Sequence, residues 1–267
     1  MEEELIYYSL PDQLNLDSTD ILFIASDIKK IALDCRSNGI LFNPNDLIDS
    51  FQKSLSKGTI VVPAYSDYLK NGDTFKQETT KPSTGALSNR VMRRKDFVRS
   101  KDPLHSVFAW GKFSKTISTI GSESSLGEGS VFEFLFKNNA KMICIDVDFQ
   151  NSLTFVHYVE EKLQVNYRKA YQWSFNLQLK GEKERIKKIT FYTKKPWVLT
   201  DLHQFQRDAI QNGVVKELKL GKSTIYHFQL NEIHQFIEQY IKSKNKLHRI
   251  SFVELGKNIA RKILRKK

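Results

Sequence analysis

Apolar runs of strand length alternate along this chain with helical-period patterns, which predicts an α/β architecture. Asp20-Ile-Leu-Phe-Ile-Ala25 reads as a first strand, and Ser26-Asp27 stands where it would cap a helix carrying Ile28, Ile31, Ala32 and Cys35. Asn43-Pro44 starts a second helix, with Pro at the first helical position and Leu47, Ile48, Phe51 and Leu55 on one face. Gly58 ends it and a strand follows. Two further strands, His105 to Trp110 and Lys141 to Val147, flank a helix from Ser130 to Phe136. Beyond His157 the period changes. Tyr167 to Leu179, a Gly181-Glu182 turn and Ile186 to Thr193 predict an antiparallel hairpin. Leu218 to Leu220, Gly221-Lys222 and Thr224 to Phe228 predict another, flanked by helices over Thr200 to Asn212 and Asn231 to Ile241.

The segment after the apolar strand Lys141 to Val147 carries the clearest chemistry. Asn151 or Ser152 can cap a helix there, on which Thr154, His157 and Glu160 or Glu161 recur at i, i+3 and i+6 or i+7 along one face. A carboxylate in reach can orient an imidazole and stabilise its charge. With an ordinary pKa of about 6.5, that imidazole can accept a proton from an amine or hydroxyl nucleophile near neutral pH. Taken alone, a His and a Glu three residues apart on a helix also fit a solvated pair.

Three segments set this pair in context. The first is Gly58-Thr-Ile-Val-Val-Pro63-Ala-Tyr65. The second runs Lys81-Pro82-Ser83-Thr84-Gly85-Ala86-Leu87, then Arg93-Arg94, then Val98-Arg99-Ser100-Lys101-Asp102-Pro103-Leu104-His105-Ser106-Val107. The third is Leu126-Gly-Glu-Gly129-Ser130, followed by the strand from Lys141 and the Thr-x-x-His-x-x-Glu face. In order and spacing these resemble the aminoglycoside 3-N-acetyltransferase family, the antibiotic N-acetyltransferases that use acetyl-CoA, from about residue 18 to about 242. The chain departs from the family pattern at Asp102, where a His is usual, and at Ala25-Ser26-Asp27-Ile28-Lys29-Lys30, where the family tends to show His-Ser-Ser-Leu-Ser-Ser.

Composition narrows the rest. A chain of 267 residues, 40% hydrophobic, can bury a substantial core. Its formal charge of +12 is uneven: residues 242 to 267 hold ten Lys or Arg against Glu254, a net of +9, which leaves +3 for the remainder. Cys35 and Cys144 sit inside apolar patterns without metal-ligand or disulfide spacing, so both read as buried thiols and no metal is expected. The acidic start Met1-Glu-Glu-Glu lacks a basic-then-apolar leader and no apolar run approaches the roughly 20 residues of a membrane span, so a cytoplasmic location is expected.

The resemblance implies a two-lobed body over residues 1–242, a mixed sheet flanked by helices with antiparallel hairpins in the C-terminal half, and a site between the lobes. It implies acyl transfer from a CoA thioester to an amine by direct attack, with His157 as base, Glu160 (or Glu161) as its partner, and Ser106 as oxyanion donor or thioester contact. Ser106 equally fits a strand serine bonded to its own backbone. Ser26, Lys29, Lys30 and Arg99 are the expected CoA contacts, since a helix start after a strand suits a pyrophosphate; the plain alternative is solvated or acid-paired cations. Tyr65, Asp67, Ser83, Thr84 and His105 are the expected acceptor contacts.

The mildly basic body and the departures from the family pattern favour a nucleotide-linked 3-amino-3,6-dideoxyhexose as acceptor, of the kind used in bacterial surface polysaccharides. The alternative is aminoglycoside acetylation. Residues 243–267 are expected to form a basic amphipathic helix, with Phe252, Leu255, Ile259 and Ile263 on one face. Such a helix would dock on the body, on a second copy of the chain or on an anionic membrane. A different class altogether would be a non-catalytic module binding nucleic acid or membrane through this tail; with the enzyme reading no nucleic-acid partner is expected.

Overall fold

The computed structural model describes residues 6–243, 246–253 and 255–257. Among the described residues twelve strands follow one another as β1 (Ile21–Ser26), β2 (Thr59–Pro63), β3 (Thr74–Lys76), β4 (Val98–Arg99), β5 (Val107–Gly111), β6 (Lys141–Ile145), β7 (Arg168–Gln178), β8 (Arg185–Lys194), β9 (Val198–Thr200), β10 (Lys216–Leu220), β11 (Ser223–Gln229) and β12 (His248–Ile250). Seven of them form a mixed sheet in the order β10-β11-β6-β1-β2-β5-β4. The central three, β6, β1 and β2, are parallel, and every outer pairing is antiparallel.

The parallel strands are covered on both faces, which is why they read as unbroken apolar runs rather than as alternations. Successive side chains go to opposite faces. Phe23, Ala25, Val61, Met142 and Cys144 pack into one core, and Leu22, Ile24, Ile60, Val62, Ile143 and Ile145 into the other. The helix Pro44–Ser54 covers the second core with Leu47, Ile48 and Phe51, its start fixed by the Asn43 side chain accepting from the Asn45 amide. On the first core lies the helix Val131–Lys137, capped by Ser130.

A smaller lobe is built on the sheet β3-β7-β8, with its own apolar cluster of Leu69, Phe75, Phe175, Leu177 and Ile189. Both expected hairpins are present, β7 with β8 and β10 with β11. The second closes on Gly221 at φ +55°, where an added Cβ would stand 2.5 Å from the Tyr7 hydroxyl. Conformation and space therefore both require glycine there.

Several boundaries differ from expectation. The strand predicted from His105 begins at Val107, and the one predicted to Val147 ends at Ile145 because Asp146 turns the chain at φ +51°. The helix expected after Ser26 starts at Lys29, with Ile28 in the cap position and no side-chain cap. Neither Asn151 nor Ser152 caps the histidine helix. Asp148 caps a single turn, Phe149–Ser152, and a separate helix, Phe155–Lys162, carries His157.

The helix expected from Thr200 begins at His203, since Val198–Thr200 is drawn into a ladder with β12. The tail thus enters as a strand before turning helical at Phe252, which is 80% exposed instead of docked. Ile259 and Ile263 lie outside the described residues. Among the described residues no helix is long and apolar enough to cross a membrane.

Candidate active site

A cavity of about 490 Å³ opens at the carboxyl ends of the three parallel strands, where open α/β sheets place ligands. Ser26 ends β1 there, Tyr65 and Asp67 follow β2, and the segment after β6 brings in Asn151, Thr154 and His157. Ser83, Thr84 and His105 complete the walls, with Lys29 at the rim. Of the residues singled out from sequence, Ser26, Lys29, Tyr65, Asp67, Ser83, Thr84, His105 and His157 converge on this one cleft. A larger cavity of about 740 Å³ lies elsewhere, lined by Arg93, Lys95, Phe97 and Lys180 among others, and no histidine or cysteine lines it.

His157 is fixed from behind. Its Nδ1 lies 2.7 Å from Oε2 of Glu160, which is almost fully buried, and the Tyr167 hydroxyl donates to Oε1 of the same carboxylate at 2.8 Å. Glu161 is excluded as the partner, since its Oε1 accepts from Ser124 at 2.6 Å. Arg168, absent from the sequence-based candidates, lies against both groups. Its Nε is 2.6 Å from Glu160 Oε2, an ionic contact without hydrogen-bond alignment, and its Nη2 is 2.6 Å from His157 Nδ1 and 3.3 Å from Nε2. A ring nitrogen that donates to a carboxylate cannot also accept from a guanidinium. The carboxylate is the partner that takes the proton, and this leaves Nε2 unprotonated.

The charges agree with that assignment. Burial and the nearby Arg168 cation hold the His157 imidazole below its ordinary value of 6.5, against the opposing pull of Glu160. Burial alone would raise the Glu160 carboxyl, but the hydrogen bond from His157, the Arg168 cation and the Tyr167 hydroxyl outweigh it and keep the group ionised. The result is a neutral imidazole beside a fixed carboxylate, a competent proton acceptor.

Three other expectations are corrected. Ser106 is wholly buried, donating to Ala64 O at 2.8 Å and accepting from Arg99 Nε at 3.0 Å, so it presents no donor to the cleft. Arg99 spends its remaining donors inside the protein on Ala64 O, Ser66 Oγ and the carbonyls of Gln77 and Thr80, which removes it from any CoA phosphate. Lys30 turns to Asp146, 3.5 Å away, and does not line the cleft. Lys29 does, with a side chain 82% exposed.

Ser83 and Thr84 line the cleft while bonding to Asp67 Oδ1 and Pro63 O, which makes them wall-builders. Cys144 is fully buried, and burial pushes its thiol up to about 12, unsuited to a nucleophile. Among the described residues no group of His, Cys, Asp and Glu could hold a metal ion.

Tyr65, expected as an acceptor contact, does line the cleft. Its hydroxyl is buried without a well-aligned partner, and burial raises its pKa, so it stays protonated. Such an O–H at the cleft wall is a donor in want of an acceptor.

A neutral imidazole with its ionised carboxylate partner and a buried tyrosine hydroxyl thus meet around one cleft. The family described as aminoglycoside 3-N-acetyltransferase matches residues 35–242, and the chain belongs to that family. It is an acyl-CoA-dependent N-acyltransferase with the family's α/β fold. The fold is similar to that of the YokD protein from Bacillus subtilis, with 20% identity, a TM-score of 0.70, and 89% of this chain and 98% of that chain covered. The aminoglycoside acetyltransferase AAC(3)-IIb is 16% identical with a TM-score of 0.74, covering 93% and 97%. AAC-IIIb, solved as a binary complex with CoASH, is 13% identical with a TM-score of 0.73, covering 89% and 95%. No curated protein matches the chain by sequence.

Proposed function

We propose that this enzyme transfers the acetyl group of acetyl-CoA to an amine of a cationic amino sugar of the aminoglycoside type. The observation that carries the reading is the placement of His157 in the cleft wall with Glu160, Tyr167 and Arg168 behind it. The cleft's own charge favours a cationic acceptor. Asp27 and Asp67 line it against the single cation Lys29, whereas a nucleotide diphosphate would ask for the reverse. The nucleotide-linked sugar expected from the charge of the whole body has no such local support, because most of the positive balance sits in the tail.

Acyl-CoA supplies an activated carbonyl. His157 Nε2 takes a proton from the acceptor's amine as its nitrogen bonds to the carbonyl carbon. The Tyr65 hydroxyl donates to the carbonyl oxygen as it gains charge, in the role first expected of Ser106. The C–S bond then breaks and the imidazolium returns the proton to the departing thiolate. Positioning in the cleft contributes much of the rate, and no covalent enzyme intermediate is needed. Lys29 and the amide end of its helix are the groups suited to CoA phosphates, and Ser26 lies beside them at the end of β1.

The test is thiol release from acetyl-CoA and longer acyl-CoAs, screened against aminoglycosides and nucleotide-linked amino sugars. Turnover with an aminoglycoside is expected to exceed that with any nucleotide sugar. A clear preference for a nucleotide-linked amino sugar would overturn the acceptor assignment. Release with no amine acceptor at all would overturn the reading as a whole.

A further inference from the structure

Besides His157, the cleft is lined by a second histidine, His105, with a different support. Nδ1 of His105 lies 2.8 Å from Ser125 Oγ, and Ser125 Oγ lies 2.7 Å from Asp102 Oδ1. Asp102 and Ser125 are both buried, and the same Oδ1 also accepts from the amides of Leu104 at 2.9 Å and His105 at 2.6 Å. Two backbone N–H groups, which can only donate, converge on this oxygen and require it to be an acceptor, so the hydroxyl proton of Ser125 belongs to Asp102. A serine has one proton to give. Its oxygen can therefore only accept from His105, and the ring must carry its proton on Nδ1.

We propose that Asp102 and Ser125 lock His105 into the Nδ1–H tautomer, so that its Nε2 presents a bare lone pair to the cleft and accepts a hydrogen bond from an N–H or O–H of the acceptor sugar. With Nδ1 turned to the interior, Nε2 is the nitrogen left facing the ligand space. Tyr65 packs edge-on against the ring at 5.2 Å between centroids and restrains its orientation. Burial, with the nearby Arg168 cation and against the opposing pull of Asp67, lowers the His105 imidazole to about 4, so the lone pair persists at neutral pH. His105 is thus a specificity residue that reads a donor on the acceptor, and Ser125 and Asp102 are positioning residues. The inference rests on the amino-sugar reading of the cleft.

Two measurements on the full chain separate it from that reading. In isotope-labelled wild-type protein, long-range proton–nitrogen correlation spectra should show His105 with Nδ1 protonated and Nε2 bare, without acceptor present. An Nε2–H tautomer there would overturn the relay whatever the enzyme's substrate. In kinetics, Ser125→Ala should raise the acceptor KM by about tenfold, the scale of one lost hydrogen bond. The acyl-CoA KM and kcat should stay near wild type, and Ser125→Thr, which keeps the hydroxyl, should restore the acceptor KM. An unchanged acceptor KM in Ser125→Ala would overturn the role of the tautomer in recognition. If the wild-type protein acylates no amino sugar, the proposed function fails and the recognition role fails with it, while the spectrum still decides the relay.

Discussion

Arg99 and Arg168 are almost equally buried, at 5% and 7% exposure, yet they do opposite work. Among the described residues Arg99 has no carboxylate partner. It bonds to three carbonyls and two hydroxyls and lies over the rings of Phe75 and Phe108, so burial lowers it to about 10 and it stays charged without influencing any reacting group. Arg168 gives one bond to Tyr192 O at 2.7 Å and directs the rest of its charge at Glu160 and His157. A guanidinium that exhausts its donors on neutral acceptors is a strut joining β4, β2 and the loop after β3. One that shares a carboxylate with an imidazole sets that imidazole's protonation state. Burial alone does not distinguish the two; the charge of the partner does.

The comparison breaks most visibly at His157. His157→Ala should lower kcat by 10² to 10⁴ or more, the usual contribution of a positioned base, while circular dichroism and the melting curve stay close to wild type. Retained turnover would remove His157 from the mechanism. Next in size, Arg168→Met should cut kcat by about tenfold to a hundredfold. It should also move the acid limb of the pH–rate profile upward, because loss of the cation leaves Glu160 free to raise the imidazole pKa. A downward or absent shift would mean that Arg168 only fills space.

Arg99→Met should show the reverse pattern. Leaving several buried acceptors unsatisfied should cost about 3 kcal/mol or more of stability, with kcat and KM per folded molecule unchanged. Loss of activity in a well-folded Arg99→Met protein would place that residue in the site after all. The smallest effect is expected in the tail. Removing residues 251–267 should leave kcat within about twofold, because it spares His248, whose ring stacks on Tyr167 at 3.9 Å between centroids. Removing residues 246–267 takes that support from the Glu160 cluster and should lower kcat further; equal activity of the two truncations would show the stacking to be inert.

Much of this was legible in the chain. The parallel core strands announced themselves as apolar runs, and the i, i+3 spacing of His157 and Glu160 foretold their contact because helix geometry brings such residues onto one face, though it left Glu161 open as the alternative. What failed was whatever depended on where a side chain points. Ser106 and Arg99 occupy a motif of the family, but they face the interior, and a motif does not tell which of its polar residues bond to each other. Arg168 was missed because it lies at the first residue of a hairpin read only for its aromatic and β-branched content. It reaches His157 only through the packing of that hairpin on a separate helix. Asp102 was noted as a departure from the family pattern, but its coupling to Ser125 is a contact across 23 residues that no local spacing reveals.

The order of strands in the sheet also governs how the chain can acquire its shape during synthesis. β1 needs β2 on one side and β6 on the other, and β6 needs β11, so Ile24 waits for Ile143 and Ile143 for His227. Each pairing closes a long loop before its contacts can form, a topology that slows folding. An emerging N-terminal half therefore carries β1 and β2 with an open, apolar parallel edge until most of the chain has left the ribosome. This half is the part of the molecule most in need of chaperone cover.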